Sequence, residues 1–168
     1  FIADLKGSGV EKSVYVQTNW APENFADEVS WVENVAAETG WPHAVVGFAD
    51  FTAEDVRPQL DRLKGFPLMR GLRQQLHWHE NELYRFAPRP DLPTFLQRND
   101  PAFIAEIVGE TVALFGADRC LFGSNFPIEK LWTTYGEVVD AHLDATKNMP
   151  EADRRNIFHD TAARVYRL

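Results

Sequence analysis

Four short β-prone runs, each followed by a stretch with helical spacing of its apolar residues, order this sequence from end to end. Ser13-Val14-Tyr15-Val16-Gln17 is rich in β-branched and aromatic residues and reads as a strand. Phe25, Val29, Val32 and Ala36 then fall on one helical face, and Gly40 with Pro42 supplies the stop. Ala44-Val45-Val46-Gly47-Phe48 is almost continuously apolar, the pattern of a strand buried on both faces. Thr52 and Asp55 resemble a capping box for the next helix, with Val56, Leu60 and Leu63 as its inner face and Pro58 forcing a late start or a kink. A third strand follows over Arg70 to Glu80 and a fourth over Arg119-Cys120-Leu121-Phe122. Strand and helix in alternation call for parallel strands wrapped by helices, as in a barrel or a doubly wound sheet.

The last third of the chain continues the pattern. Asp100-Pro101 is an N-cap with proline at the first helical position, ahead of a stripe of Ile104, Ile107, Val108, Val112 and Phe115. Thr134 and Glu137 form a capping box for a helix carrying Val138, Val139 and Leu143, and a final helix runs through Ile157, Phe158, Ala162, Val165 and Tyr166. One region breaks the order. Between Asn81 and Asn99 no strand or long helix is legible, only Pro88, Pro90 and Pro93 among arginines, and a structureless loop of about twenty residues is uncommon in a compact α/β domain.

The third strand carries the chemistry. Its alternation sends Arg73, Gln75, His77 and His79 to one side and Leu72, Leu76 and Trp78 to the other, with Gln74 the exception. Two histidines two residues apart on a strand have Cα atoms about 6.6 Å apart, close enough to share a metal ion or a substrate. Composition excludes other classes. With 45% apolar and 12% aromatic residues the chain can bury a core, and a net charge of −8 argues against nucleic acid and anionic membranes as partners. Cys120 alone rules out an internal disulfide and reads as a small core residue. No run reaches the ~18 apolar residues of a membrane span. There is no phosphate-binding loop, dinucleotide fingerprint or nucleophile elbow.

At Gly71-Leu72-Arg73-Gln74-Gln75-Leu76-His77-Trp78-His79-Glu80-Asn81, at Cys120-Leu121-Phe122-Gly123-Ser124-Asn125-Phe126-Pro127, and in the tail from Ile157 to Tyr166, the chain resembles the amidohydrolase-related family. This is the branch of metal-type (β/α)8 hydrolases that includes pyrone-dicarboxylate and sugar lactonases and related decarboxylases. The resemblance implies an α/β TIM barrel of which only about four strands are represented, with residues 1–92 as its early units and 93–168 as its final units and closing helix. It also implies a lactonase-type hydrolase, or a decarboxylase on the same scaffold, acting on a small lactone or other cyclic or carboxylated substrate. A non-catalytic remnant that binds a ligand is the reading from another class. The expected partners are a small-molecule substrate and further copies of the chain in a homo-oligomer, and the expected location is the cytoplasm.

The departures from the family shape the site expectations. Nothing before Val14 supplies the family's N-terminal Asp-x-His-x-His metal motif, and no strand between Glu80 and Asp100 brings its later histidine. The chain begins at Phe1, and the sequence reads as a longer barrel chain lacking its first strand and about three central ones, joined near Leu92-Pro93. An internal deletion is the rival reading; it would leave open sheet edges. Where the family's last strand ends in Gly-Ser/Thr-Asp-Trp/Tyr-Pro, this chain has Asn125, and an amide cannot act as the general base.

The catalytic expectations are therefore His77, His79 and Asn125, at the ends of their strands. Asn125 either ligates a metal through its carbonyl oxygen or orients the substrate. His77 and His79 are the metal candidates, for one divalent ion such as zinc or for a metal-independent site. Arg73, Gln75 and Gln17 are expected to bind substrate. Arg73 either grips a carboxylate with its two-pronged guanidinium or forms a buried ion pair. Asn19 reads as a turn residue, His43 as lying at the opposite end of its strand, His142 as solvated on a helix, and His159 as a helix contact. Trp132 to Tyr135 either covers the mouth or opens the next helix.

Overall fold

The computed structural model describes residues 1–18, 20–75 and 101–168. They belong to two compact units, one of residues 11–89 with Leu168 and one of residues 1–10 with 90–167.

The first unit is built on a parallel sheet of order β1-β2-β3, with β1 at Val14–Val16, β2 at Ala44–Phe48 and β3 at Met69–Arg73. Helix α1 (Phe25–Thr39) crosses from β1 to β2, and α2 (Arg57–Leu63) from β2 to β3. The sequence explains each piece. The first four residues of β2 are buried, as its unbroken apolar run requires. Val29 and Val32 of α1 meet Val45, Ala49 and Leu63 in the core, with Phe25, Val56 and Leu60 packed around them. Each fully buried aliphatic side chain there contributes about 1.5–3 kcal/mol of transfer free energy. Gly47 is where a Cβ would meet the Met69 side chain at 3.0 Å and Val29 at 3.3 Å, so its hydrogen allows helix and neighbouring strand to close on β2. Gly40 ends α1 in the left-handed conformation and donates its N–H to the Ala36 carbonyl.

Two local expectations are corrected. Thr52 and Asp55 form no capping box: Asp50 Oδ1 accepts from both the backbone and hydroxyl of Thr52, while Asp55 Oδ1 accepts from Arg57 N at 3.1 Å. The helix starts late, at Arg57, with Pro58 in its first turn, because proline needs no backbone partner there. The third strand carries an irregularity between its pairings with Val45 and Val46, where Met69 and Gly71 are successive partners and Arg70 has none. Past this bulge Leu72 is 38% exposed rather than packed. Gln74, the polar residue on the expected apolar side, ties down the loop after β2: its Oε1 accepts from Phe51 N at 2.9 Å and its Nε2 donates to Asp50 Oδ1 at 3.1 Å.

The second unit is helical among its described residues. It contains α3 (Pro101–Phe115), α4 (Tyr135–Thr146), α5 (Glu151–Arg155), a π-helical turn (Asn156–Asp160) and α6 (Thr161–Tyr166). Thr134 caps α4 as expected, its hydroxyl accepting from Glu137 N while the Glu137 carboxylate accepts from Thr134 N. Residues 119–122 form no strand. A 3-10 turn (Ala117–Arg119) leads into chain that is extended at Cys120, and Phe122 N donates to the Ile157 carbonyl of the π turn at 2.9 Å. A strand exists only through ladder bonds to a neighbour, and among the described residues none pairs here. Ile104, Val138, Val139 and Ile157 are buried, but Ile107, Phe115, Leu143 and Val165 of the expected stripes are exposed. Cys120 is half-buried. No helix among the described residues is long and apolar enough to cross a membrane.

Candidate functional site

In the sheet unit, two expected substrate-binding residues, Gln17 and Arg73, come together at the C-terminal ends of the strands. Gln17 follows β1, is almost wholly buried, and its N–H continues the ladder to the Val46 carbonyl at 2.8 Å. Arg73 ends β3, and its Nη2 donates to the Gln17 carbonyl at 2.9 Å. The two residues flank β2, two strand spacings or about 9.6 Å apart, a span that a long guanidinium side chain can bridge. Among the described residues Arg73 has a carbonyl partner and no carboxylate, so the expected ion pair is absent there. Its Nε and the Oε1 of Gln75 are both buried without a hydrogen-bond partner among the described residues. A donor and an acceptor left open at a strand end are what a polar ligand satisfies.

In the helical unit, the expected residue Asn125 sits in the turn Gly123 to Pro127 at φ 49°, in the left-handed region that asparagine enters more readily than most residues. This turn sends its carboxamide onto the short 3-10 helix Ile128–Leu131, where Asn125 Nδ2 donates to Glu129 Oε1 at 2.7 Å. Glu129 is 8% exposed, and among the described residues its second oxygen, Oε2, has no partner. Both residues line a cleft of about 630 Å³ together with Ser124, Thr133, Glu137 and His142. The cleft wall also includes Asp140 and Asp144 and, among the described residues, no lysine or arginine.

The other titratable groups of the cleft are committed or exposed. Glu137 Oε2 accepts from the Thr133 hydroxyl and from the backbone and hydroxyl of Thr134, which hold its carboxyl below the usual range. Asp144 pairs with Lys147 at 2.8 Å, and Asp140 is exposed. His142 is half-buried rather than solvated: its Nδ1 lies 2.8 Å from the Val138 carbonyl and its ring meets Phe122 edge-on at 4.9 Å. Its spacing of four from Val138 signals this shared helical side. A carbonyl only accepts, so Nδ1 carries the proton and Nε2 is left as an acceptor. Trp132 to Tyr135 opens α4, with Thr133 on the cleft wall and Tyr135 buried; burial pushes the Tyr135 phenol up.

His77, His79 and Trp78, and also Asn19, lie outside the described residues. His43 stands just before β2, at the end away from Gln17 and Arg73, and burial, with Lys12 nearby, lowers its pKa below the ordinary value. His159 is exposed and pairs with Asp160 at 2.7 Å. Among the described residues no three His, Cys, Asp or Glu side chains are placed to hold a metal ion.

Glu129 is the residue that sequence reasoning missed. Its signal was an acid inside the apolar run Phe126-Pro127-Ile128 to Leu131-Trp132, four positions after Asn125.

The amidohydrolase family profile matches residues 90–168, the stretch that holds both the Asn125 turn and Glu129. That stretch of the chain is similar to the amidohydrolase family. A crystal structure of an amidohydrolase from Burkholderia multivorans, with bound HEPES, superimposes on this chain with a TM-score of 0.73. That likeness covers 99% of this chain and 87% of the other at 18% identity, and it shows a shared fold. An uncharacterized protein, y4mH, of Sinorhizobium fredii is 25% identical over 250 positions, taking in 100% of this chain and 84% of the relative. Since this chain has 168 residues, the matched part of the relative includes segments without a counterpart here.

Proposed function

We propose that this chain is an amidohydrolase-related hydrolase that opens a small lactone, or a related cyclic or carboxylated substrate, by adding water to its carbonyl. The observation that carries the reading is the cleft beneath the Gly123 to Pro127 turn, where a buried carboxylate and a carboxamide stand 2.7 Å apart within the family-matched stretch. Water attack on a carbonyl needs a proton acceptor and a polar group to orient the reactants, and this pair supplies both kinds of group. Within the sheet unit, Arg73 is the group suited to a substrate carboxylate, with Gln17 and Gln75 beside it on the strand ends. His77 and His79 are the proposed holders of a divalent metal such as zinc, whose chemistry when bound is polarisation of the substrate carbonyl. The three parallel strands belong, in this reading, to a (β/α)8 barrel. The apolar residues left exposed on α3 support it, since a barrel helix packs such a stripe on strands.

The test is product analysis on a panel of sugar lactones and carboxylated lactones. Ring opening with one proton released per turnover is the expected result. Carbon dioxide release would replace the reading with decarboxylation on the same scaffold. Binding of the lactones without turnover would leave a ligand-binding protein.

A further inference from the structure

We infer that Glu129 is the general base of this protein, taking the role that Asn125 cannot perform, an inference that rests on the hydrolytic reading above. A buried carboxylate oxygen without a partner costs free energy, and such a group persists where a donor arrives with the reaction. Glu129 meets that description: it is 92% buried and lines the cleft, Oε1 is held at 2.7 Å by Asn125, and Oε2 is buried with no hydrogen-bond partner among the described residues. The alternatives in the same cleft are spoken for. Glu137 is spent on capping α4, Asp144 on Lys147, and Asp140 is exposed to solvent, which leaves His142 Nε2 as the competing acceptor.

In this assignment Asn125 is a positioning residue. Its amide fixes the carboxylate so that Oε2 is the oxygen that reacts. As the water oxygen bonds to the lactone carbonyl carbon, one water proton passes to Oε2. When the ring C–O bond then breaks, the same proton passes from Oε2 to the departing alkoxide, giving the hydroxy acid and restoring the carboxylate. No electrons change hands and no co-reactant is required.

The test compares wild type with Glu129→Gln, Glu129→Ala and His142→Gln, all as the full chain and on the lactone that wild type opens fastest. Glutamine keeps the acceptor for Asn125 and the side-chain shape, so folding is preserved while the base is lost. Glu129→Gln is expected to lower kcat at least about a hundredfold with KM within about threefold. Added formate, a small carboxylate that fits the space left by Glu129→Ala, is expected to restore part of that variant's rate. His142→Gln, which removes the competing acceptor from the cleft wall, is expected to lower kcat by less than Glu129→Gln does. The inference is overturned by a Glu129→Gln variant that keeps its kcat, by a loss confined to KM, by a Glu129→Ala variant that formate leaves unchanged, or by a His142→Gln variant that loses the rate instead. A wild type inert to every lactone overturns the hydrolytic reading and this inference with it, whereas an active wild type with an active Glu129→Gln overturns the inference alone.

Discussion

Glu28 in the sheet unit and Glu129 in the helical unit are both 8% exposed, yet their surroundings differ completely. Oε1 of Glu28 accepts from the Tyr15 hydroxyl at 2.7 Å, from Thr18 N at 2.9 Å and from the Thr18 hydroxyl at 3.1 Å. These bonds tie the end of β1 to α1, and burial, with the carboxylate close by, pushes the Tyr15 phenol up to about 12. Among the described residues Glu129 has a single donor and an open oxygen. A buried charge with its donors supplied locally is part of the framework, and one left half-satisfied on a cleft wall is held for chemistry.

The same contrast runs through the two units. The sheet unit closes a core of Val29, Val32, Val45, Ala49 and Leu63 between helices and strands. The helical unit leaves Ile107, Leu114 and Phe115 of α3 exposed. An amphipathic helix buries its stripe only against a second layer, and among the described residues that unit has no strand to provide one.

Three variants or conditions probe the comparison. The largest effect is expected for Glu28→Ala, which strands the Tyr15 hydroxyl and Thr18 N–H and should cost about 3 kcal/mol of unfolding free energy in urea. A loss below about 1 kcal/mol, the net worth of an ordinary hydrogen bond, would remove Glu28 from the framework. Next is Asn125→Asp, which replaces the donor to Glu129 with a second carboxylate and should destabilise by about 2 kcal/mol at neutral pH. Sharing one proton raises the pair's folded pKa above that of ordinary carboxylates. The deficit should therefore shrink as the pH falls through that raised value. Equal stability of Asn125→Asp and wild type at neutral pH would show that the 2.7 Å contact is not made in solution. The smallest effect is expected at His43, whose Nδ1 accepts from Ser13 N at 3.4 Å and whose folded pKa lies below 6.5. The neutral ring is favoured in the fold, so its contribution is present above pH 6.5 and lost as the pH drops through the lower folded value. Thermal melts between pH 7.5 and 5.5 should show this fall in wild type and less of it in His43→Gln; identical slopes would remove His43 from the pH response.

What could be read from the sequence was what depends on neighbours along the chain. The strands at Val14–Val16 and Ala44–Phe48, the glycine stop of α1 and the capping box at Thr134 all follow from local pattern. The expected strand at residues 119–122 failed because its apolar alternation says nothing about a ladder partner, and Thr52 failed as a cap because Asp50 held its hydroxyl first. At the site, Gln17 was legible as the end of its strand and Arg73 from the alternation that puts it on one face with Gln75, although their contact across β2 was not, nor that the strand ends at Arg73. Glu129 was invisible because its role depends on the left-handed turn at Asn125, which brings two residues four apart into contact.

The most direct measurement takes stability and turnover together for Glu28→Gln and Glu129→Gln. The account predicts a crossed result. Glu28→Gln should lose about 1.5 kcal/mol of unfolding free energy and keep kcat within about threefold, while Glu129→Gln should stay within about 1 kcal/mol of wild type and lose at least about a hundredfold in kcat. Two variants that lose stability and activity in the same proportion would contradict it, since both glutamates would then be framework and neither the base.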